Sequence, residues 1–278
     1  MTSPRIDAHH HLWKYSPQEY SWIAKSMVVL QRDFGVDDLQ HVIEESSLDG
    51  AITVQARQSV EETRWLLEVG EKHPVMYGVV GWVPLVAENV RESLEEFASH
   101  SKLVGVRHVL HDEADDFYML REDFNRGVAL LKDYDLVYDI LIFERHLAQT
   151  IEFVDRHAGQ RFVVDHIAKP RIRDGLISPW REKLLEIAKR ENVYCKLSGV
   201  VTEADWSNWT EAQLQLYFDV VLKAFGPERL MFGSDWPVLL LASEYRRWVD
   251  TVQRLIAKLS AAEQARIFGG TAQEAYGV

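Results

Sequence analysis

Cysteine occurs once, at Cys195, in a chain of 278 residues. A single thiol excludes an internal disulfide framework and any cysteine-based zinc finger. No run approaches the roughly 18 consecutive apolar residues of a membrane helix, so no membrane partner is expected. The opening segment MTSPRIDAHHHLW lacks both a basic n-region and an apolar h-region, which places the expected location in the cytoplasm. Lys and Arg number 31 against 43 Asp and Glu, a formal net charge of −12 without any basic cluster. Nucleic acid, which needs a basic surface, is therefore not an expected partner. The phosphate loops G-x-G-x-x-G and G-x-x-x-x-G-K-[ST] are missing, and so is the G-x-S-x-G elbow of serine hydrolases. The 15 glycines and 8 prolines are scattered, with no linker-like stretch, and residues 1–278 read as a single domain. Nothing in the chain specifies an oligomeric state.

What the chain does have is a recurrence of short, apolar, β-branched runs. Eight of them begin at residues 5, 51, 75, 103, 137, 162, 193 and 229. Their mean spacing, (229 − 5)/7 or about 32 residues, is the length of a βα unit. Amphipathic helical patterns lie between them, as in 59-SVEETRWLLEVGEKH, where Ser59 stands three residues before Glu62 as a capping box. The segments 88-ENVRESLEEFASH, 181-REKLLEIAKRE and 213-QLQLYFDVVLKAFG follow suit, the last stopped by Gly226-Pro227. Eight strands alternating with helices predict an α/β fold, a (β/α)8 barrel. The long first repeat, with Trp13, Tyr15, Tyr20 and Trp22, reads as an excursion over one barrel face, either a lid or pocket wall or a surface loop pinned by buried aromatics.

In such a barrel the chemistry gathers at the C-terminal strand ends. The first strand ends in His9-His10-His11, and simple alternation puts Asp7, His9 and His11 on one face with His10 on the other. Two imidazoles at that spacing can converge on one metal ion or one bound oxygen. The sixth strand ends Asp165-His166-Ile167-Ala168-Lys169-Pro170, with Asp165 and His166 expected on opposite sides. The eighth ends Gly233-Ser234-Asp235-Trp236-Pro237, where Asp235 is placed to ligate metal or accept a proton from water. The fourth strand offers Arg107, His108 and His111, and the seventh Lys196 and Ser198. For these an ion pair between barrel strands is as good a reading as a catalytic one. Cys195 has no base beside it and is not expected to act as a nucleophile.

Taken in order, these segments resemble the amidohydrolase superfamily, in its lactonase-type amidohydrolase-2 branch. The match runs through Ile6–Trp13, Tyr20-Ser21-Trp22, Val54-Gln55-Ala56, Gly105-Val106-Arg107, Val164–Pro170, Cys195–Gly199 and Met231–Pro237. The resemblance implies a distorted (β/α)8 barrel that hydrolyses a small-molecule sugar-acid lactone of the fucono- or rhamnono-lactone type. It implies Asp235 as the base, and His9, His11 and His166 as stabilisers of the oxyanion. Arg107, Lys169, Trp22 and Trp236 are then expected to contact substrate. No cofactor is demanded, and at most one divalent ion, Zn, is expected at His9, His11 and Asp235. The fourth strand lacks the bridging Lys or Glu of binuclear relatives and the fifth lacks a His, so a binuclear centre is not expected. Thr271 stands where relatives carry Asn, with Glu274 completing a capping box. Two other readings share the barrel: a metal-dependent decarboxylase of aromatic or muconate-like acids, and a silent sugar-acid binding protein.

Overall fold

In the computed structural model, which describes residues 3–278, eight parallel strands are hydrogen-bonded in the order β1 to β8. They are β1 (Ile6–His10), β2 (Gly50–Val54), β3 (Met76–Gly81), β4 (Leu103–Val109), β5 (Val137–Leu141), β6 (Phe162–Val164), β7 (Val193–Leu197) and β8 (Leu230–Phe232). All eight predicted strands form. The barrel closes beyond β8, where Asp235 N donates to His9 O (2.8 Å) and His11 N donates to Trp236 O (2.7 Å). The seam of the barrel thus runs through four of the residues singled out above, His9, His11, Asp235 and Trp236.

The helices are α1 (Val36–Glu45), α2 (Val60–Lys72), α3 (Val90–Ala98), α4 (Glu122–Val128), α5 (Leu147–Asp155), α6 (Trp180–Ile187), α7 (Glu211–Phe225), α8 (Tyr245–Leu255), α9 (Ala261–Ala265) and α10 (Thr271–Tyr276). Among the described residues no helix is long and apolar enough to cross a membrane. Outward strand residues pack with Leu66, Leu94, Phe153, Leu184, Phe218 and Trp248 of the helices in one continuous layer. Each such side chain contributes roughly 1.5–3 kcal/mol on burial. The inward residues form a separate cluster, with Ile52, Val54, Val80, Val104, Val163 and Met231 meeting Ala272, Ala275 and Tyr276 of α10. The last helix therefore plugs the N-terminal mouth of the barrel, leaving the other end open for chemistry.

Two capping expectations are corrected. The Ser59 hydroxyl does accept from Glu62 N (3.2 Å), but the Glu62 side chain does not return to Ser59. It turns inward to accept from Ala56 N and Arg57 N (2.9 Å each) and from Tyr20 Oη (3.1 Å). Thr271 lies inside its helical run, and its hydroxyl donates to Pro227 O (3.2 Å). Glu274 is taken by Arg266 Nη2 (2.6 Å) and Tyr194 Oη (3.1 Å) instead. In both cases a nearby tertiary donor outcompetes the local cap.

Burial pushes the Glu62 carboxyl up to about 7 despite those donors. A raised carboxyl favours the folded state below its unfolded value, and that advantage is lost as pH rises through about 7. Glu62→Gln, which does not titrate, is therefore expected to gain melting temperature on the wild type between about pH 5 and 8. The expected gain is on the order of 5 °C. Thermal melts of both proteins across that range check it, and a difference independent of pH would refute it.

Candidate active site

The first strand departs from simple alternation. Its pairing with β2 shifts register between Asp7 and His10, and the extra residue of this bulge turns the chain over. Asp7 faces outward, where it accepts from Ser234 N (2.8 Å), Ser234 Oγ (2.5 Å) and Tyr245 Oη of α8 (2.8 Å). His9 and His11 face inward with their Nε2 atoms 3.3 Å apart. The expected shared face of Asp7, His9 and His11 is thus wrong for Asp7. His10 does face outward, 2.8 Å from Thr53 Oγ1.

Asp165 and His166 are brought together rather than split. Strand β6 stops at Val164, and His166, Ile167, Ala168 and Lys169 all take left-handed backbone conformations, with φ of 53, 48, 60 and 45°. Four such residues in sequence cost roughly 1–2 kcal/mol each. The turn is held by Lys169 N donating to His166 O (2.8 Å) and by the buried Trp180 indole donating to Ile167 O (2.7 Å). His166 Nδ1 lies 2.9 Å from Ser198 Oγ. A Cβ on Gly199 would stand 2.5 Å from His166 Nδ1, and Gly199 itself has φ of +61°. Asp235 is also left-handed (φ 59°). Its Oδ1 lies 3.3, 3.8 and 3.9 Å from the Nε2 atoms of His11, His9 and His166.

Below this cluster the barrel interior is ionic. Lys196 Nζ lies 2.5 Å from Asp139 Oδ2 and 3.2 Å from Asp165 Oδ1. Arg107 Nη1 donates to Asp165 Oδ2 (3.0 Å), and its Nη2 donates to Gln55 O (2.5 Å). Tyr276 Oη reaches up from α10 to Asp139 (2.7 and 2.9 Å). Asp139, Asp165 and Tyr276 were not assigned site roles from the sequence. Their pairing depends on which strands are neighbours across the interior, and no local pattern carries that.

The open end holds a cavity of about 360 Å³, with His11, Arg107, His166, Lys169, Asp235 and Trp22 in its wall. His111, Gln58, Asp112 and Leu141 complete the far side. The first excursion is both of its predicted alternatives at once. Trp13 and Tyr20 are buried pins, while Glu19, Ser21 and Trp22 form pocket wall. Lys169 pairs with Glu203 at 3.3 Å. Trp236, expected to stack on substrate, is 2% exposed, edge-on to Phe34 (5.2 Å between centroids) and absent from the wall. The seam pairing that aims Asp235 inward turns its neighbour away. Two buried nitrogens around the cavity, the donor Arg107 Nε and the His111 Nδ1, have no partner among the described residues.

Burial alone would raise the Asp235 carboxyl, but His166, His11 and His9 outweigh it and hold it well below the usual carboxylate range. Burial also works against an ionised Asp165, yet Lys196, His9 and Arg107 keep it far below its ordinary value. Burial pushes His166 down to about 3 and carries His9 well below its ordinary value, against the pull of Asp165. At neutral pH the cluster therefore holds carboxylates at Asp165 and Asp235 and neutral imidazoles at His9 and His166.

These residues fit one divalent ion. The three ligand atoms His9 Nε2, His11 Nε2 and Asp235 Oδ1 are separated by 3.3, 3.3 and 3.8 Å. The edge of a tetrahedral zinc site with bonds near 2.05 Å is about 3.3 Å. His11 Nδ1 is 2.8 Å from Val54 O, which can only accept. Nδ1 therefore carries a proton, and Nε2 is the ring atom left to meet Asp235 or an ion. A His/Asp cluster of this kind is compatible with a divalent metal. Arg107 Nη1, 3.3 Å from His9 Nε2, is the positive group already in place.

The family profile of Amidohydro_2, described as amidohydrolase, matches residues 6–278. The chain is 42% identical to the L-fucono-1,5-lactonase of Burkholderia multivorans (strain ATCC 17616 / 249), over 99% of its own length and 97% of the relative's. It is 34% identical to the L-fucono-1,5-lactonase of Burkholderia ambifaria, over 98% and 95%. A crystal structure of an amidohydrolase from Burkholderia multivorans with bound zinc superposes with a TM-score of 0.96 at 42% identity, covering 99% of this chain and 100% of that one.

Gly199→Ala places a methyl against the His166 ring and forces an alanine into left-handed backbone, so a loss of about 1–3 kcal/mol in stability is expected. Urea unfolding checks it, and a variant as stable as the wild type would refute the tight packing of Gly199 on His166.

Proposed function

The chain belongs to the Amidohydro_2 family of amidohydrolases, and we propose that it opens a sugar-acid lactone, L-fucono-1,5-lactone or a close stereochemical relative, by attack of water on the ester carbonyl. The observation that carries this reading is the placement of Asp235. It is a carboxylate kept ionised among imidazoles at a cavity wall that also presents an arginine. Water, a base and an oxyanion partner are all that ester hydrolysis requires.

In this reading the lactone carbonyl lies toward Asp235, His166 and Arg107. Asp235 takes a proton from water as the water oxygen bonds to the carbonyl carbon, and the carbonyl π pair moves to its oxygen. Arg107 faces that developing oxyanion. His166 joins it as a neutral donor when Ser198 Oγ–H occupies Nδ1 and leaves the proton on Nε2. On collapse the carbon–ring-oxygen bond breaks, and Asp235 returns its proton to the departing alkoxide, giving the open hydroxy acid. Lys169 and the unpartnered nitrogen of His111 read sugar hydroxyls, and the Trp22 ring covers an apolar face of the sugar. His9, His11 and Asp235 would hold one zinc ion, which supplies Lewis-acid polarisation of the carbonyl when bound.

Two outcomes are expected. Asp235→Asn retains the fold and loses about 10²–10⁴-fold in kcat on the preferred aldonolactone, measured with a pH indicator. Wild-type turnover in this variant would refute the assigned base, and a wild type inactive on every aldonolactone would refute the substrate class. Second, the protein dialysed against zinc and then buffer retains about one equivalent by elemental analysis, and His11→Ala retains none. No retention by the wild type would remove the metal from the reading.

A further inference from the structure

Glu62 is 1% exposed and lines no part of the cavity, yet it joins two segments that do. One carboxylate oxygen accepts from Tyr20 Oη (3.1 Å), in the first excursion. The other accepts from Ala56 N and Arg57 N (2.9 Å each), in the loop after β2. The same two segments are cross-linked on either side of it. Trp22 Nε1 donates to Ala56 O (3.1 Å), and Arg57 Nη1 pairs with Glu19 Oε1 (2.6 Å).

Together they supply Glu19, Ser21, Trp22, Ala56, Arg57 and Gln58, six of the sixteen residues in the cavity wall. Neither segment belongs to a strand or a regular helix. With no ladder to hold it, this wall depends on side-chain bonds, and Glu62 gathers three donors from both of its parts. The opposite wall is different in kind. His11, Arg107, His166 and Asp235 stand on barrel strands or their immediate continuations and do not touch Glu62.

From this division we propose that Glu62 is a positioning residue that sets the substrate-gripping wall, and hence substrate affinity, independently of the hydrolytic groups. The inference rests on the lactonase reading and deepens it. The wall it holds is polar, with Glu19, Ser21, Arg57 and Gln58 around the Trp22 ring, and fits the hydroxyl-bearing side of a sugar ring. Glu62→Ala leaves Ala56 N and Arg57 N without their acceptor and frees Tyr20. Glu62→Gln keeps a carbonyl oxygen for the two backbone donors and an amide that donates to Tyr20 Oη.

The test is steady-state kinetics on the preferred aldonolactone, with the wild type assayed first. Absence of wild-type turnover would overturn the lactonase reading itself. Given turnover, Glu62→Ala is expected to raise KM about tenfold with kcat within about threefold, the signature of lost uniform binding. Glu62→Gln is expected to restore KM to within about threefold of wild type, which a general packing defect would not do. A Glu62→Ala enzyme with unchanged KM, or with kcat reduced in proportion to kcat/KM, overturns the proposal. Should Glu62→Ala not fold, Tyr20→Phe decides. It removes only the hydroxyl linking the excursion to Glu62, and a raised KM with kcat preserved supports the proposal while an unchanged KM overturns it.

Discussion

Asp165 is fully buried, and groups from three strands close on its carboxylate. Arg107 comes from β4 at 3.0 Å, Lys196 from β7 at 3.2 Å and His9 from β1 at 3.2 Å. An ion removed from water in this way costs several kcal/mol unless its partners are all present, and removing one partner of a buried pair costs about 3–5 kcal/mol. The arrangement therefore ties the strands to one another as much as it ties the side chains. The pairing continues downward from Lys196 to Asp139 and from Asp139 to Tyr276 on the terminal plug. An unbroken line of polar contacts thus runs from the closed end of the barrel to the imidazole of His9. The orientation of His9 is set from below, through residues that no substrate reaches.

Strain is concentrated at the same end. The left-handed residues His166 to Lys169, together with Asp235, make up five of the seven non-glycine residues with positive φ among the described residues. Backbone of this kind persists only where surrounding bonds over-determine it. Here the Trp180 indole, the Lys169 amide and the Ser234 and Asp7 bonds across the seam do so. The strain brings His166 and Asp235 to one point, which regular strand ends would not have done. Rigid strands, a fixed seam and an unusual turn hold His9, His11, His166 and Asp235, while side-chain bonds join the two segments of the facing wall.

Much of this was legible in the chain. Eight β-branched runs at βα spacing locate the barrel, and polar residues at the ends of those runs locate His9, His11, Arg107, His166 and Asp235, all of which converge. What could not be read depends on tertiary partners. The bulge that turns Asp7 outward exists because β1 must register with β2, and alternation within β1 carries no trace of it. Asp165 and His166 share a site because their turn is left-handed, a conformation that β-branched or bulky residues do not advertise. Trp236 carries the right residue type at the right end of a strand, but seam pairing directs it into the layer behind. Ser59 and Thr271 stand in cap-like spacing, and in each case the acidic partner finds a better donor elsewhere.

The −12 of the whole chain is a poor guide to this interior. Asp139, Asp165 and Asp235 carry three negative charges against the two positive charges of Lys196 and Arg107, and His9 and His166 are neutral by burial. Of the three, Asp235 alone stands in the cavity wall, with the Nε2 atoms of His11, His9 and His166 around its Oδ1. The Nε2 atoms of His11 and His9 beside its Oδ1 make this point compatible with a divalent metal. The buried ion pairs that tie the barrel strands together thus lie directly beneath a carboxylate that faces the cavity, at the end opposite the α10 plug.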